Sequence, residues 1–223
     1  MNRLNLSEKL SFYVPKEGIL QPNGPDDPLT YYYKPIIGYL YRARIIQSLS
    51  LLTPPYKSIL ELGYGSGVLL PTLCSIGNSV HGIDLTSDPQ KIKFNLCKIG
   101  IDAELTRGDI VNLDYHDESF DLVVAISVIE HISDLSPVIN KVFKLLCPGG
   151  VFLVGMPRVG AIFSKAFHLV ELEYPIDKHH VTNYHQLLKA ATECFDLVKF
   201  TNMPNFFPAF LGLYFSMLFR KPL

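Results

Sequence analysis

Charge is scarce in this sequence. Asp, Glu, Lys and Arg make up 18% of its 223 residues, against about 25% in an average soluble domain. The two signs nearly cancel, to a net −1 and a pI near 6.6, which excludes nucleic-acid binding by overall basicity. Cysteine is sparse too. Cys74, Cys97, Cys147 and Cys194 stand far apart with no C-x-x-C pair, so neither a zinc site nor a disulfide framework is expected. No apolar run reaches the about 18 residues of a membrane-spanning helix. The longest, Phe206–Phe219, has 14 residues and is broken by Pro208, Gly212 and Ser216. The opening MNRLNLSEKLSF lacks the apolar segment of a signal peptide. A reduced, cytoplasmic protein is the expectation. There are no internal repeats.

Apolar residues, by contrast, make up 48%, and the mean hydropathy is +0.20. That excludes a disordered or collagen-like chain, and the length suffices for one α/β unit with a sizeable core. The charge is unevenly spread. Residues 1–57 hold 7 Lys/Arg against 4 Asp/Glu, residues 58–157 hold 6 against 12, and residues 158–223 hold 7 against 5. An acidic middle suits a cationic ligand, with solvated surface carboxylates as the plain alternative.

Residues 15–30 are rich in Pro, Gly and Asp and read as loop. Apolar spacing predicts an amphipathic helix from Pro35 to Leu52, stopped by Pro54-Pro55. From residue 58 strands and helices alternate. The predicted strands are 58–62, 79–84, 103–107, 120–127 and 151–156. One helix opens at Asp88-Pro89 and closes at Gly100, and another opens at Ser136-Pro137. Pro148-Gly149-Gly150 reads as a turn before the fifth strand. This alternation implies a parallel sheet with helices packed on it. After an irregular stretch at 158–180, a helix is predicted at Thr182–Thr192. Strands at 195–200 and 211–219 then suggest an antiparallel hairpin at the sheet edge.

The sharpest local signal is Glu61-Leu62-Gly63-Tyr64-Gly65-Ser66-Gly67, directly after a strand. Glycines there allow a tight turn and close approach of a ligand to the backbone. A nucleotide P-loop needs a Gly-Lys-Ser/Thr ending, which is absent. A dinucleotide fingerprint needs a third glycine where Val68 stands, which weakens that reading.

Together with HGIDLT (81–86), RGDIVNLDY (107–115), FDLVVAISVIEHISD (120–134) and LLCPGGVFLVGMP (145–157), this segment resembles the class I S-adenosylmethionine-dependent methyltransferases. The resemblance covers about 100 contiguous residues in the family's order. It implies an α/β fold: a single doubly wound Rossmann-like domain with a seven-stranded, mostly parallel sheet whose last strand is antiparallel. Residues 1–57 would form an N-terminal cap, 58–157 the cofactor-binding core, and 158–223 an acceptor-site insert with the C-terminal strands. The implied cofactor is S-adenosyl-L-methionine. Gly63, Gly65 and Gly67 would pass beneath its methionine part, and Glu61 would sit near its ammonium group. Asp84, with Leu85 beside it, would accept both ribose hydroxyls. Asp109 would accept the adenine amino group, with Ile110 packing at the base. Ala125, Ile126 and Ser127 would line the pocket. Tyr64 stands where the family has a small or apolar residue, and either narrows the pocket or points outward.

Methyl transfer from a sulfonium is an in-line displacement, which rests on positioning. A base helps when the acceptor has a proton to lose, as a phenol or alcohol does. Glu130-His131 follows the fourth strand and resembles the Glu-His of ubiquinone-biosynthesis-type methyltransferases. Some of those hold a divalent metal with a Glu-x-x-Glu-His cluster; here Ser127 replaces the first Glu, so no metal is expected. His131 is the candidate catalytic residue, with a structural bond to the loop as its alternative. The tyrosines at 31–41 either close over the cofactor, contact the acceptor or simply pack, and Arg42 and Arg44 are expected in solvent rather than as substrate clamps. His179-His180, with Asp177, falls in the acceptor-lid region. The aromatic segment Met203–Phe210 either meets an apolar acceptor or a membrane surface, or covers the sheet edge. The expected activity is O-methylation of a small aromatic or lipid-like acceptor. N- or C-methylation and a non-catalytic cofactor-binding module are the alternatives. No nucleic-acid partner is expected, and the sequence leaves the oligomeric state open.

Overall fold

Runs such as Leu122-Val123-Val124-Ala125 have no polar side, so both faces of their strand must be covered. The computed structural model meets that demand with helices on each face of one sheet. It describes residues 10–25, 27–112, 114–158, 180–206 and 208–223. The elements are α1 (Pro35–Leu49), β1 (Tyr56–Leu62), α2 (Leu70–Ile76), β2 (Gly77–Asp84), α3 (Pro89–Cys97), β3 (Glu104–Arg107), β4 (Phe120–Ile126), α4 (Leu135–Leu145), β5 (Leu146–Pro157), α5 (Tyr184–Ala191), β6 (Asp196–Met203) and β7 (Tyr214–Arg220). The seven strands run in the order β3-β2-β1-β4-β5-β7-β6. The first five pair in parallel. β7 is antiparallel to both β5 and β6. This is the doubly wound, Rossmann-like α/β arrangement expected, and β6–β7 is the edge hairpin.

Successive residues of each central strand feed opposite cores. Ile59, Leu122, Val124 and Leu153 pack with α1, α2 and α3. Leu60, Val123, Ala125, Phe152 and Val154 pack with α4 and α5. Burying each such large side chain contributes about 1.5–3 kcal/mol. No helix of the described residues is long and apolar enough to cross a membrane.

Three local expectations shift. α4 begins at Leu135, one residue before Ser136, because Asp134 is its cap and accepts from the Ser136 amide. β5 begins at Leu146 and carries Pro148-Gly149-Gly150 as an irregularity within its pairing to β4, with Gly149 at φ +75°. α1 is less amphipathic than its spacing suggested. Ile45, Ser48 and Leu49 are buried, whereas Ile36 and Tyr39 are 74% and 73% exposed.

Candidate active site

The chain turns sharply as it leaves β1. The Gly63 amide donates to Ile83 O at 2.7 Å, extending the β1–β2 pairing, and the Gly67 amide donates back to Tyr64 O at 2.7 Å. Gly63 has φ +70°, and a Cβ there would stand 2.4 Å from Val128 Cγ2. Gly67, at φ +80°, would meet Ile92 Cγ2 at 2.9 Å. Both backbone conformation and space therefore require glycine. Gly65 lies between them at φ +51°. The loop forms the floor of a cleft of about 1150 Å³ that runs along the ends of the central strands.

Asp84 ends β2 and ties this loop down. Its Oδ2 accepts from the Gly65 amide at 2.9 Å. Its Oδ1 accepts from the Thr86 amide (2.9 Å), the Thr86 hydroxyl (3.2 Å) and the Ser87 amide (2.8 Å). Burial pushes this carboxyl up, but the Thr86, Ser87 and Gly65 amides outweigh it and hold the group below the usual carboxylate range. A carboxylate has about four lone-pair sites, so Oδ2 holds the remaining capacity for a ribose hydroxyl.

Glu61 has the opposite character. It is 4% exposed, and its Oε2 is buried with no hydrogen-bond partner. Burial, and then the neighbouring Asp84 charge, push its carboxyl up to about 8. An orphaned carboxyl at the wall of a cleft is suited to a cationic partner. Glu61, the glycine loop and Asp84 thus fit S-adenosylmethionine: an ammonium for Glu61 and a hydroxyl for Asp84.

Tyr64 lines the cleft, and its side chain does not point outward. It is 2% exposed and packs into the core, its ring lying where a Cβ on Gly82 would come within 2.8 Å. Gly82 makes the room for it. Asp109 stands two residues beyond the end of β3 and accepts from the Val111 amide at 3.0 Å. With Leu85 and Ile110 it lines the cleft. Of the neighbouring acids Asp114, Asp117 and Glu118, none lines it. Ile126 and Ser127 reach the cleft wall, whereas Ala125 is fully buried among the α4-side core residues.

On the far side of Ser127 the chain makes a short turn, Ile129–His131. Glu130 is 1% exposed, its Oε2 has no partner, and burial pushes its carboxyl up to about 8. His131 is exposed at the cleft, its ring 4.9 Å from that of His180. The Val181 and Thr182 amides donate to Glu130 O at 2.8 and 3.1 Å, which brings the later segment here. Glu130, His131 and His180 therefore offer ligand atoms within 4.8 Å of one another. The fold adds a third donor to the Glu130-His131 pair, and two imidazoles with a carboxylate could hold a divalent ion. Such an ion must first displace the proton that burial keeps on Glu130. Asp177 and His179 lie outside the described residues.

Several cleft residues carry no motif. Asp27 caps the turn Pro28–Tyr33, accepting from the Leu29 amide at 2.9 Å, and its Oδ2 leans over Gly65. Asn23 reaches Thr86 at 3.2 Å. The Pro/Gly-rich stretch, read from sequence only as loop, thus closes over the glycine loop. Tyr32 and Tyr41 line the cleft, and so does Arg44, which is not in open solvent as expected. Tyr214 on β7 faces it. A sequence pattern has no signal for these contacts, because their partners lie far along the chain. In the 203–210 segment Phe206 is 77% exposed; Phe207 and the Phe210 side chain are outside the described residues.

Residues 60–154 match a family model described as a methyltransferase domain. A ubiquinone biosynthesis O-methyltransferase of Pelagibacter ubique (strain HTCC1062) is 26% identical over 215 residues, 91% of this chain and 86% of that protein. A protein of the same name from Salmonella newport (strain SL254) is 28% identical over 121 residues, 53% of this chain and 49% of its own length. That second match spans about half of the relative. Among solved structures, the N-methyltransferase NodS from Bradyrhizobium japonicum WM9, in complex with S-adenosyl-L-homocysteine, aligns with a TM-score of 0.64 at 20% identity, over 91% of this chain and 95% of that one. Likeness of sequence and of fold converges on what the glycine loop, Glu61 and Asp84 indicate: a class I S-adenosylmethionine-dependent methyltransferase. It is an enzyme that takes its methyl group from that cofactor and passes it to a small molecule.

Proposed function

We propose that the acceptor is a small aromatic or lipid-like molecule and that the atom methylated is oxygen. The observation that carries this reading is His131 at the cleft, beside His180 and directly after the buried Glu130. A hydroxyl acceptor has a proton to lose, and a histidine beside it can take that proton. S-adenosylmethionine, when bound, supplies an electrophilic methyl group on a sulfonium. The chain's own residues do the rest. Glu61 and Asp84 orient the cofactor's polar ends, the glycine loop gives it a close-fitting floor, and His131 receives the acceptor proton. Leu40, Ile126, Val128 and Leu213 give the cleft apolar wall, which supports an acceptor with an apolar body. The rival reading of a cofactor-binding module without catalysis leaned on Tyr64, whose ring is turned into the core.

The test is turnover with S-adenosylmethionine across matched phenols, catechols, anilines and aliphatic amines. Methyl ethers as products support the reading. N-methyl products, with none on oxygen, overturn it.

A further inference from the structure

Asp27 joins two segments that stand far apart in the chain. It closes the Pro/Gly-rich stretch: its Oδ1 accepts from the Leu29 amide at 2.9 Å and its Oδ2 from the Asn23 amide at 3.2 Å. The same Oδ2 lies 3.2 Å from where a Cβ on Gly65 would stand. Burial raises the pKa of this carboxyl, against the Leu29 and Asn23 amides and the Ser66 amide and hydroxyl, which favour its ionised form. Asn23 reaches across to Thr86 Oγ1 at 3.2 Å, and that hydroxyl donates to Asp84 Oδ1. Asp84 returns to the loop through the Gly65 amide. Two carboxylates on separate segments thus grip successive residues of the glycine loop, and Asp27 lines the cleft as it does so.

This grip changes what the loop can bind. In a phosphate-binding glycine loop the backbone N–H groups are left to the ligand. Here they are taken. The Gly63 amide donates to Ile83 O and the Gly67 amide to Tyr64 O. The Gly65 amide donates to Asp84, and the Ser66 amide faces Asp27. The groups at the middle two amides are themselves anions. Among the described residues neither carboxylate has an ion pair; those found there are His81–Glu104 and Lys221–Glu118. Arg107, opposite Asp84 across the β2–β3 pairing, donates to Leu85 O instead. Glu61 adds a third carboxyl to the same part of the cleft.

We propose that Asp27 is a specificity-determining residue for the cofactor: its carboxylate closes the glycine loop to anions, so that the cleft takes a sulfonium and refuses a nucleotide that carries phosphate. The two ligand classes compete for the same space. The 5′ carbon of adenosine bears the sulfonium in S-adenosylmethionine and the phosphate in ADP or a dinucleotide. With the ribose held by Asp84, on which this proposal rests, either group extends toward the glycine loop. A positive sulfur meets Asp27 favourably. A phosphate meets it as a like charge, and the Gly65 and Ser66 amides are not free to replace the water it gives up. Asp27 acts at the cofactor end of the cleft, whichever acceptor is methylated.

The test is calorimetry with four probes: adenosine, ADP, S-adenosylmethionine and S-adenosyl-L-homocysteine. In the parent protein ADP is expected to bind at least about tenfold more weakly than adenosine. Asp27→Asn keeps the shape and drops the charge, and asparagine caps a turn as well as aspartate does. This variant should close most of the gap between ADP and adenosine. It should also weaken S-adenosylmethionine about two- to fivefold more than S-adenosyl-L-homocysteine, whose sulfur is neutral. Asp27→Glu returns the charge and should return both differences. Each difference is a ratio within one protein, so a smaller folded fraction cancels. ADP binding as tightly as adenosine in the parent overturns the proposal. So does an Asp27→Asn variant that weakens the two sulfur ligands equally and leaves the ADP gap unchanged, since Asp27 then only braces its turn. If Asp84→Asn meanwhile lowers adenosine affinity, the ribose reading stands and only the role of Asp27 falls. Intact adenosine affinity in Asp84→Asn overturns the ribose reading, and the proposal with it.

Discussion

The Asp84 carboxylate holds the Gly65 amide at 2.9 Å across 19 residues of chain, and so fixes the glycine loop before any ligand arrives. The same carboxylate shapes the floor of the cleft and leaves on Oδ2 the lone-pair capacity that the proposed ribose hydroxyl would use.

That dual role changes what a substitution should do. Asp84→Ala removes four hydrogen bonds inside the protein as well as the ligand contact, so both melting temperature and cofactor affinity should fall. Asp84→Asn keeps the shape and loses the charge. Charged hydrogen bonds contribute about 1.5–3 kcal/mol, so its affinity for S-adenosyl-L-homocysteine should drop by about 10–150-fold. Unchanged affinity by calorimetry in the asparagine variant would remove Asp84 from the ribose site.

Glu61 makes cofactor binding a proton-releasing event. With its carboxyl pushed up to about 8 by burial and by Asp84, the free enzyme holds that proton at neutral pH. An ammonium beside it favours the ionised form. Calorimetry near pH 7 in buffers of different ionisation heat should therefore show proton release on binding S-adenosyl-L-homocysteine, with affinity rising from pH 6 to about pH 8. Glu61→Gln should abolish the release and weaken binding.

The same shift sets the stability of the free protein. Glu61 and Glu130 keep their protons to about pH 8 when folded, whereas an unfolded glutamate loses its own near pH 4.3, to about half a unit. Between those values the unfolded chain binds fewer protons, so stability falls as pH rises through the window. Melting temperature should decline from pH 5 to pH 8, and Glu130→Gln should flatten part of that slope. A melting temperature that climbs across this range would contradict the burial of these two carboxyls.

His131→Ala should lower turnover by about 10²–10⁴-fold with little change in cofactor affinity, since His131 stands beyond β4 and away from Glu61 and Asp84. Ser127 stands where the resembled metal cluster has its first Glu, so the Glu130–His131–His180 group should not need an ion. Turnover after treatment with a chelator should stay within about twofold. Loss that a divalent cation restores would make those three residues a metal site.

The glycine loop is required by the backbone itself. Gly63→Ala places a Cβ 2.4 Å from Val128 at positive φ, a strain of about 1–3 kcal/mol. Thermal melting should show the loss, and a companion Val128→Ala should recover part of it.

Much of this was legible in the chain. Strand runs bare on both faces called for helices on both sides, and Asp88-Pro89 opens its helix as its residue types require, the Asp88 carboxylate accepting from the Gln90 and Lys91 amides. Strand-end glycines and acids, with the resemblance they carry, placed Glu61, Gly63, Gly65 and Asp84 in one cleft, because those residues act through neighbours a few positions away or at the end of the adjacent strand.

The acceptor side was not legible. Arg44 meets Ser127 across 83 residues, His180 comes to His131 through amides bonded to Glu130, and Tyr64 turns inward only because Gly82 on the next strand leaves a gap. Local residue pattern decides helix, strand and tight turn, since those depend on backbone sterics and on hydrogen bonds within a few residues. Which side chains share a cleft depends on how the elements stack, and burial then raises the pKa of an ordinary glutamate. The sequence alone therefore determined the sheet and the glycine loop, whereas packing alone decided which side chains line the far side of the cleft.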